Sequence, residues 1–483
     1  MQTDKKAASL FMGLMTLAFA YIIIKDVELP PYVLISAVAL GGVSLLFVGL
    51  NKPEVVTYVL VAYLPFSKVL VGDFGGWATA FNLTNLLMAF ILIVWLSGKP
   101  GDKEPLWTSN PLNFPILLFT SLAFLSVVRG STTYGSEHFW LAFTEFKRWF
   151  TPIMMYFLVL NTVKDRATIR NIVTIIMIAT TVVGLMAIYD YIEAGDVSLE
   201  KARIGGIATH SNSLAAFFNY YIFLPLGFLY MNASRWKAWG LLIPFLIQFR
   251  GIMVTFSRGG YIAFAFGLYA INFFRSKILF FLTLVATWVI ILNPVFLPAG
   301  IRYRMSQTFT QQVSYVNMVE NVEDSVDGST SSRIEIWKGA LKMISEQPIF
   351  GVGYGLFFPL IAHYWVGGFS IDAHNTYLII AAEMGIPALL TFLFIVLLVT
   401  WHTFTLYRTT EDAYAKALAL GFLGGLFGLM VSNMFGSRLD SQEVSSYFWI
   451  LAALVIRLRI LDYKEGKVRT FVPQKLDTVG VAL

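Results

Sequence analysis

Three short stretches carry side chains that could handle a charged, oxygen-rich ligand. Ser257-Arg258-Gly259-Gly260 sets a cation beside glycines that allow close backbone approach. Ser332-Arg333-Ile334-Glu335 places an arginine inside a Ser-x-x-Glu capping box, the signature of a helix start. Asp372-Ala373-His374-Asn375 puts a histidine where the chain passes from water into an apolar run. A guanidinium grips phosphate through two parallel N–H donors, where lysine offers only a point charge. In a first helical turn, unpaired backbone N–H groups and the helix dipole already draw anions. Arg333 is therefore a candidate diphosphate ligand; a pairing with Glu335 or a loop carboxylate accounts for it equally well. His374 is placed to act as general base or to hold an acceptor hydroxyl. A lone histidine is nonetheless more often a cap or interface residue.

Other residues stand near these in the sequence. Arg203-Ile204-Gly205-Gly206 leads into His210-Ser211-Asn212-Ser213 at the start of an apolar segment. Glu383 falls on the helix face opposite His374 at about 100° per residue. It is no direct partner of the histidine, but a carboxylate among membrane helices is a functional candidate by default. Phe350-Gly351-Val352-Gly353-Tyr354-Gly355 permits a tight backbone path, yet lacks the strand–helix context of a nucleotide loop. The chain has no cysteine, which excludes disulfides, thiolate metal sites and a cysteine nucleophile. His138, His210, His363 and His374 show no metal-ligand spacing, so a metal site is unsupported, and no cofactor is expected.

The elements that must position these residues are membrane helices. Of 483 residues, 57% are hydrophobic and 13% charged, about half the charge a soluble surface needs. Hydropathy, broken at Pro, Gly, Asn and charge clusters, predicts an all-α polytopic membrane protein of about 12–14 spans. The candidates lie near 8–24, 32–50, 54–71, 82–97, 112–128, 147–162, 168–190, 213–231, 237–256, 259–274, 277–297, 375–401, 413–435 and 444–460. The first follows Lys5 and Lys6 like a signal peptide, but no A-x-A-like site follows it, so it reads as a retained helix.

Lysine and arginine bias sets the sense of insertion. With the N-terminus inside, alternate ends collect Lys5, Lys6, Lys52, Lys99, Lys103, Lys164, Arg166, Arg170, Arg235, Lys237, Arg275, Lys277, Arg408, Lys416 and the basic tail. Both termini are then cytoplasmic. The opposite side is rich in arginine: Arg129, Arg148, Arg203, Arg250, Arg258, Arg302, Arg304, Arg333 and Arg438. Any one of these could snorkel at a helix end or serve an ion pair; as a set they favour phosphate binding.

One outer connection, 298–374, runs for about 75 residues, far beyond the usual 4–6. Its stretch 307–331 is polar and acidic. The capping box then starts a helix whose apolar face is Ile334, Trp337, Leu341 and Ile344, with the tryptophan inward, and which ends at Gln347-Pro348. The chain divides into N-terminal membrane helices (1–200), helices with the outer arginine motifs (201–297), the outer loop (298–374), C-terminal helices (375–461) and a cytoplasmic tail (462–483).

The order Arg203-Ile-Gly-Gly…His210-Ser-Asn-Ser-Leu-Ala, Thr255-Phe-Ser-Arg-Gly-Gly, Arg333-Ile-Glu-Ile-Trp, Gln347-Pro-Ile-Phe-Gly-Val-Gly-Tyr-Gly and His374-Asn-Thr-Tyr…Glu383-Met-Gly-Ile-Pro resembles the O-antigen ligase and Wzy-type polymerase superfamily of bacterial membrane glycosyltransferases. The resemblance covers roughly 200–440. It implies a GT-C-like bundle with a periplasmic loop over the site, in the bacterial inner membrane. The donor would be a glycan on undecaprenyl diphosphate, and the acceptor a sugar hydroxyl such as one on lipid A–core. Transfer would be metal-independent and inverting. Arg258 and Arg333 match the family's diphosphate-binding arginines, Arg203 matches more weakly, and His374 matches the histidine that activates or orients the acceptor. Glu383, Asn375, His210, Asn212, Trp337 and Asp372 are supporting candidates. Membrane lipids are the other expected partner, and nucleic acid is not one.

A polymerase joining lipid-linked repeat units, or a transferase acting on protein hydroxyls, would share the donor and differ in acceptor. A lipid-linked glycan flippase or other transporter should instead place charges near the midplane on broken helices. Here most charges lie at outer helix ends, with Arg250 and Glu383 as exceptions, which favours transfer chemistry.

Overall fold

The computed structural model describes residues 48–49, 52–68, 82–97, 105–195, 203–208, 210–293, 295, 300–302, 330–436, 439 and 441–466. The expected span 8–24, nearly all of 32–50, the acidic stretch up to 329 and the tail from 467 lie outside these residues. Among the described residues the architecture is all-α, with no strand. Among the described residues, seven helices are long and apolar enough to cross a membrane: Asn113–Thr162, Arg166–Glu193, Ser211–Met231, Trp236–Val254, Ile386–Thr409, Ala413–Ser432 and Gln442–Lys464. Three shorter apolar helices, Glu54–Phe66, Leu83–Leu96 and Lys277–Leu292, lie where further spans were expected.

The helices that bear on the site are α1 (Asn113–Thr162), α2 (Arg166–Glu193), α3 (Ser211–Tyr221), α4 (Phe223–Met231), α5 (Leu242–Val254), α6 (Arg258–Arg275), α7 (Thr330–Glu346), α8 (Thr376–Met384), α9 (Ile386–Thr409), α10 (Ala413–Ser432) and α11 (Gln442–Lys464).

Three elements depart from the sequence expectation. The spans predicted at 112–128 and 147–162 are joined by helix, interrupted at Gly135 with φ 83° and ψ −174°. A Cβ on Gly130 would lie 2.7 Å from His138 Nε2, whereas eight residues of continuous helix rise about 12 Å. The chain therefore folds back at Gly135, where only glycine adopts such a backbone without strain. The single span predicted at 375–401 is two helices, α8 and α9, parted at Gly385 with φ 85°. Pro387 suits the first turn of α9 because no helical acceptor awaits its missing N–H.

The third departure is α7. It begins at Thr330, so Ser332 lies within the first turn and not before it, and Glu335 pairs with Lys338 at 2.7 Å. Its buried stripe is Ile336, Ala340, Met343 and Ile344, while Ile334 and Leu341 are exposed. The small Gly339 decides this rotation: a Cβ there would lie 2.9 Å from the Tyr364 carbonyl oxygen, so no larger residue fits the contact. Trp337 sits at the edge of the stripe, half-buried.

The centre of the bundle is α3–α4, α10 and α11, whose apolar stretches are 89%, 78% and 89% buried. Lipid tails are as apolar as leucine, so close backbone packing must hold membrane helices together. The glycines of α10 provide it. A Cβ on Gly425 would lie 2.1 Å from the Tyr220 carbonyl oxygen, and one on Gly428 would lie 2.5 Å from that of Asn219. This contact fixes the height of α3, and α3 in turn holds both walls of the site. Asn219 Nδ2 donates to the Gly260 carbonyl at 2.9 Å, and Asn433 Nδ2 donates to the Tyr220 hydroxyl at 2.6 Å.

Candidate active site

The link from α5 to α6 is a tight turn. Thr255 Oγ1 donates to the Ile252 carbonyl at 2.7 Å and accepts the Ser257 N–H at 3.2 Å. Phe256 between them takes φ 49°, an uncommon conformation for an aromatic residue. Ser257 caps α6, its Oγ accepting the Gly260 N–H at 3.2 Å. Arg258 is thereby delivered at the first position of the helix, beside the positive end of its dipole. Gly259 lets Phe435 close over this end; a Cβ there would lie 2.6 Å from that of Phe435.

Arg203, Arg258 and Arg333 come together here. They line one small pocket with Asn212, Phe256, Ser257, Gly259 and Phe435. Asn212 Oδ1 accepts from Ser257 Oγ at 2.7 Å and from Arg203 Nη2 at 3.3 Å. The Ile204 N–H reaches the Val254 carbonyl at 3.5 Å, holding the Arg203 segment against the end of α5. Three arginines converging on one concavity supply the planar N–H donors that suit a multiply charged phosphate ester.

His374 does not line that pocket; it stands in the adjoining loop before α8. Its backbone is at φ 49°, and with Phe256 it makes up the described non-glycine residues with positive φ. Such strain, of about 1–3 kcal/mol, persists where surrounding contacts hold it. The contacts are visible. Asp372 Oδ1 accepts the His374 N–H at 3.1 Å, and its Oδ2 lies 3.2 Å from Nδ1. Asn375 caps α8, accepting from the N–H groups of Tyr377 and Leu378 at 3.0 and 3.2 Å. Thr376 Oγ1 donates within 2.7 Å of Asn433 Oδ1 and 3.0 Å of the Gly436 carbonyl. Since Phe435 lies between those two and lines the pocket, the histidine loop and the arginine pocket share a wall. Both ring nitrogens of His374 are buried without a hydrogen-bond partner among the described residues. Nδ1 is close to Asp372 but not aligned for a hydrogen bond. A buried polar ring left in this state has hydrogen-bonding capacity for a ligand.

The remaining candidates act at a distance from the pocket or not in it. His210 is exposed at the cap position of α3 and does not line the pocket. Trp337 Nε1 donates to the Ala373 carbonyl at 2.8 Å. Glu383 is buried, 7% exposed, and its Oε1 accepts the Phe357 N–H at 3.0 Å. The glycine-rich run lies directly against this helix end. Val352 and Gly353 N–H groups donate to the Ala382 and Glu383 carbonyls at 2.8 and 3.1 Å, and Ile386 N–H donates to the Pro348 carbonyl at 2.8 Å. A Cβ on Gly351 would lie 2.2 Å from the Glu383 carbonyl oxygen, and one on Gly385 would lie 2.1 Å from that of Ile349. These glycines thus serve a backbone clamp that fastens the loop to the α8–α9 junction.

Phe435 and the Asn433–Gly436 wall were not among the residues expected from the sequence. Their signal was available as Asn433 and Gly436 closing an otherwise apolar segment.

Residues 243–393 match a family model described as O-antigen ligase. The matched stretch carries Arg258, Arg333 and His374, and leaves Arg203 and Asn212 outside it. No curated protein matches the chain. The family match agrees with the resemblance read from the motifs.

Proposed function

We propose that the protein is a glycosyltransferase of the O-antigen ligase type, with a GT-C-like fold in the bacterial inner membrane. It moves a glycan from undecaprenyl diphosphate to an acceptor hydroxyl, such as one on lipid A–core, at the periplasmic face. Both termini are cytoplasmic on this reading. The observation that carries it is the convergence of Arg203, Arg258 and Arg333 on one pocket beside the His374 loop.

The acceptor oxygen attacks the anomeric carbon of the donor sugar. The bond from that carbon to the diphosphate oxygen breaks, and undecaprenyl diphosphate leaves with the electron pair. A single displacement inverts the anomeric centre. His374 takes the hydroxyl proton through a ring nitrogen, and the arginines neutralise charge as it grows on the leaving group. A diphosphate is already a good leaving group, so alignment and charge stabilisation suffice without a metal.

The test is transfer by the purified protein from undecaprenyl-diphosphate-linked glycan, offered lipid A–core and a second lipid-linked glycan in competition. Product on lipid A–core supports the ligase reading, and elongated lipid-linked glycan would make the protein a polymerase. Wild-type turnover by folded Arg258→Ala and His374→Ala variants would remove the site assignment.

A further inference from the structure

We infer that Trp337 is a positioning residue that sets the spacing between the arginine pocket and His374. The inference rests on the glycosyl-transfer reading above. Trp337 follows Arg333 by one turn of α7, so the two side chains share a face with Cβ atoms about 5–6 Å apart. The Trp337 indole N–H donates to the Ala373 carbonyl at 2.8 Å, and Ala373 is bonded directly to His374. One side chain therefore links the helix that carries a pocket arginine to the peptide that carries the histidine.

Apolar packing would not fix this spacing. α7 joins the protein through a satellite cluster separate from the main core, in which Ile336, Ala340 and Met343 pack with Phe357, Ile361, Trp365 and Ile371 as well as with Ala373, Ala381 and Ala382. Such contacts are non-directional; with Gly339 against Tyr364 they set which face of α7 is buried, not the distance from Arg333 to His374. A hydrogen bond from a rigid ring to one carbonyl selects a single register. The remaining grips on the loop, from Asp372, Asn375 and Asn433, orient His374 within its own segment or against the bundle. The Trp337 bond relates it to Arg333. In-line displacement needs the reacting atoms about 3–3.5 Å apart, and a 1 Å misplacement costs about a hundredfold in rate.

The experiment measures kcat and donor KM separately for the purified full-length protein, with undecaprenyl-diphosphate-linked glycan and lipid A–core, alongside thermal stability in detergent. Trp337→Phe keeps an aromatic ring and removes the donor. Replacement of Trp337 by β-(3-benzothienyl)alanine, which puts sulfur where the N–H was, removes the donor with the shape intact. The expected result for both is a kcat lowered about tenfold or more, with donor KM within about twofold of wild type. Unchanged kcat in the benzothienyl variant would overturn the proposal. So would a parallel loss of thermal stability and donor affinity, because that marks a merely structural role. His374→Ala and Arg333→Ala run in the same assay: wild-type turnover in these would overturn the transfer site itself, a different result from failure of the Trp337 link.

Discussion

Asn212 and Ser257 are joined by a 2.7 Å hydrogen bond between the start of α3 and the cap of α6. The same asparagine oxygen receives Arg203, and the next residue after the serine is Arg258. One amide thus registers two arginines from segments about fifty residues apart. It offsets part of the repulsion between two like charges held at one pocket.

Removing that amide should weaken donor binding. Asn212→Leu is expected to raise donor KM about tenfold, from the loss of about 1–2 kcal/mol of hydrogen bonding, with a smaller effect on kcat. Steady-state kinetics on the lipid-linked donor would check this. A donor KM equal to wild type would show that Arg203 and Arg258 are held by other contacts.

Charge alone should not replace the guanidinium. Arg258→Lys keeps the cation and loses the two-pronged donor, so transfer should fall about tenfold, and Arg258→Ala should fall about tenfold further. Inorganic diphosphate should inhibit the wild type competitively with the donor, and inhibit Arg258→Ala more weakly. Equal inhibition of both proteins would count against diphosphate binding at this pocket.

Glu383 is expected to matter for the loop more than for the chemistry. Glu383→Ala leaves the buried Phe357 N–H without its carboxylate acceptor, a loss of about 1–3 kcal/mol. Glu383→Gln retains an oxygen for the same bond and should lose less. Thermal unfolding in detergent would separate the two, and identical melting of alanine and glutamine variants would contradict the clamp.

The glycine face of α10 should be intolerant far from the site. Gly425→Val drives carbon into the Tyr220 carbonyl and should cost about 3 kcal/mol or more. It should also depress activity, since α3 carries Asn212 and Asn219. Gly240→Ala is the control, because a Cβ at Gly240 meets nothing within 4 Å. Thermal stability and turnover of the two variants give the comparison; a stable, active Gly425→Val would refute the close-contact account of the core.

Much of the candidate site was legible in order along the chain. Arg258 and Arg333 stood out as arginines beside glycines and a helix start, and His374 stood out at the entry to an apolar run. The turn at Phe256, the partner of Asn212 and the wall at Asn433–Gly436 were not legible, because each depends on residues distant in sequence. The buried face of α7 was misread by about one residue. Periodicity allowed two adjacent stripes, and Gly339 against Tyr364 selected one of them.

The sequence by itself determined that the chain is a membrane-helix bundle, since so few charges cannot cover a soluble surface. It also determined the residue types available to hold a diphosphate. Only the tertiary structure decided that Arg203, Arg258 and Arg333 share one pocket while Glu383 and the glycine run form a clamp elsewhere. Helical periodicity reports which face a residue occupies but not which other face meets it. That meeting is set by backbone contact between Gly425 and Tyr220, and by hydrogen bonds such as Asn219 to Gly260, that span tens to hundreds of residues.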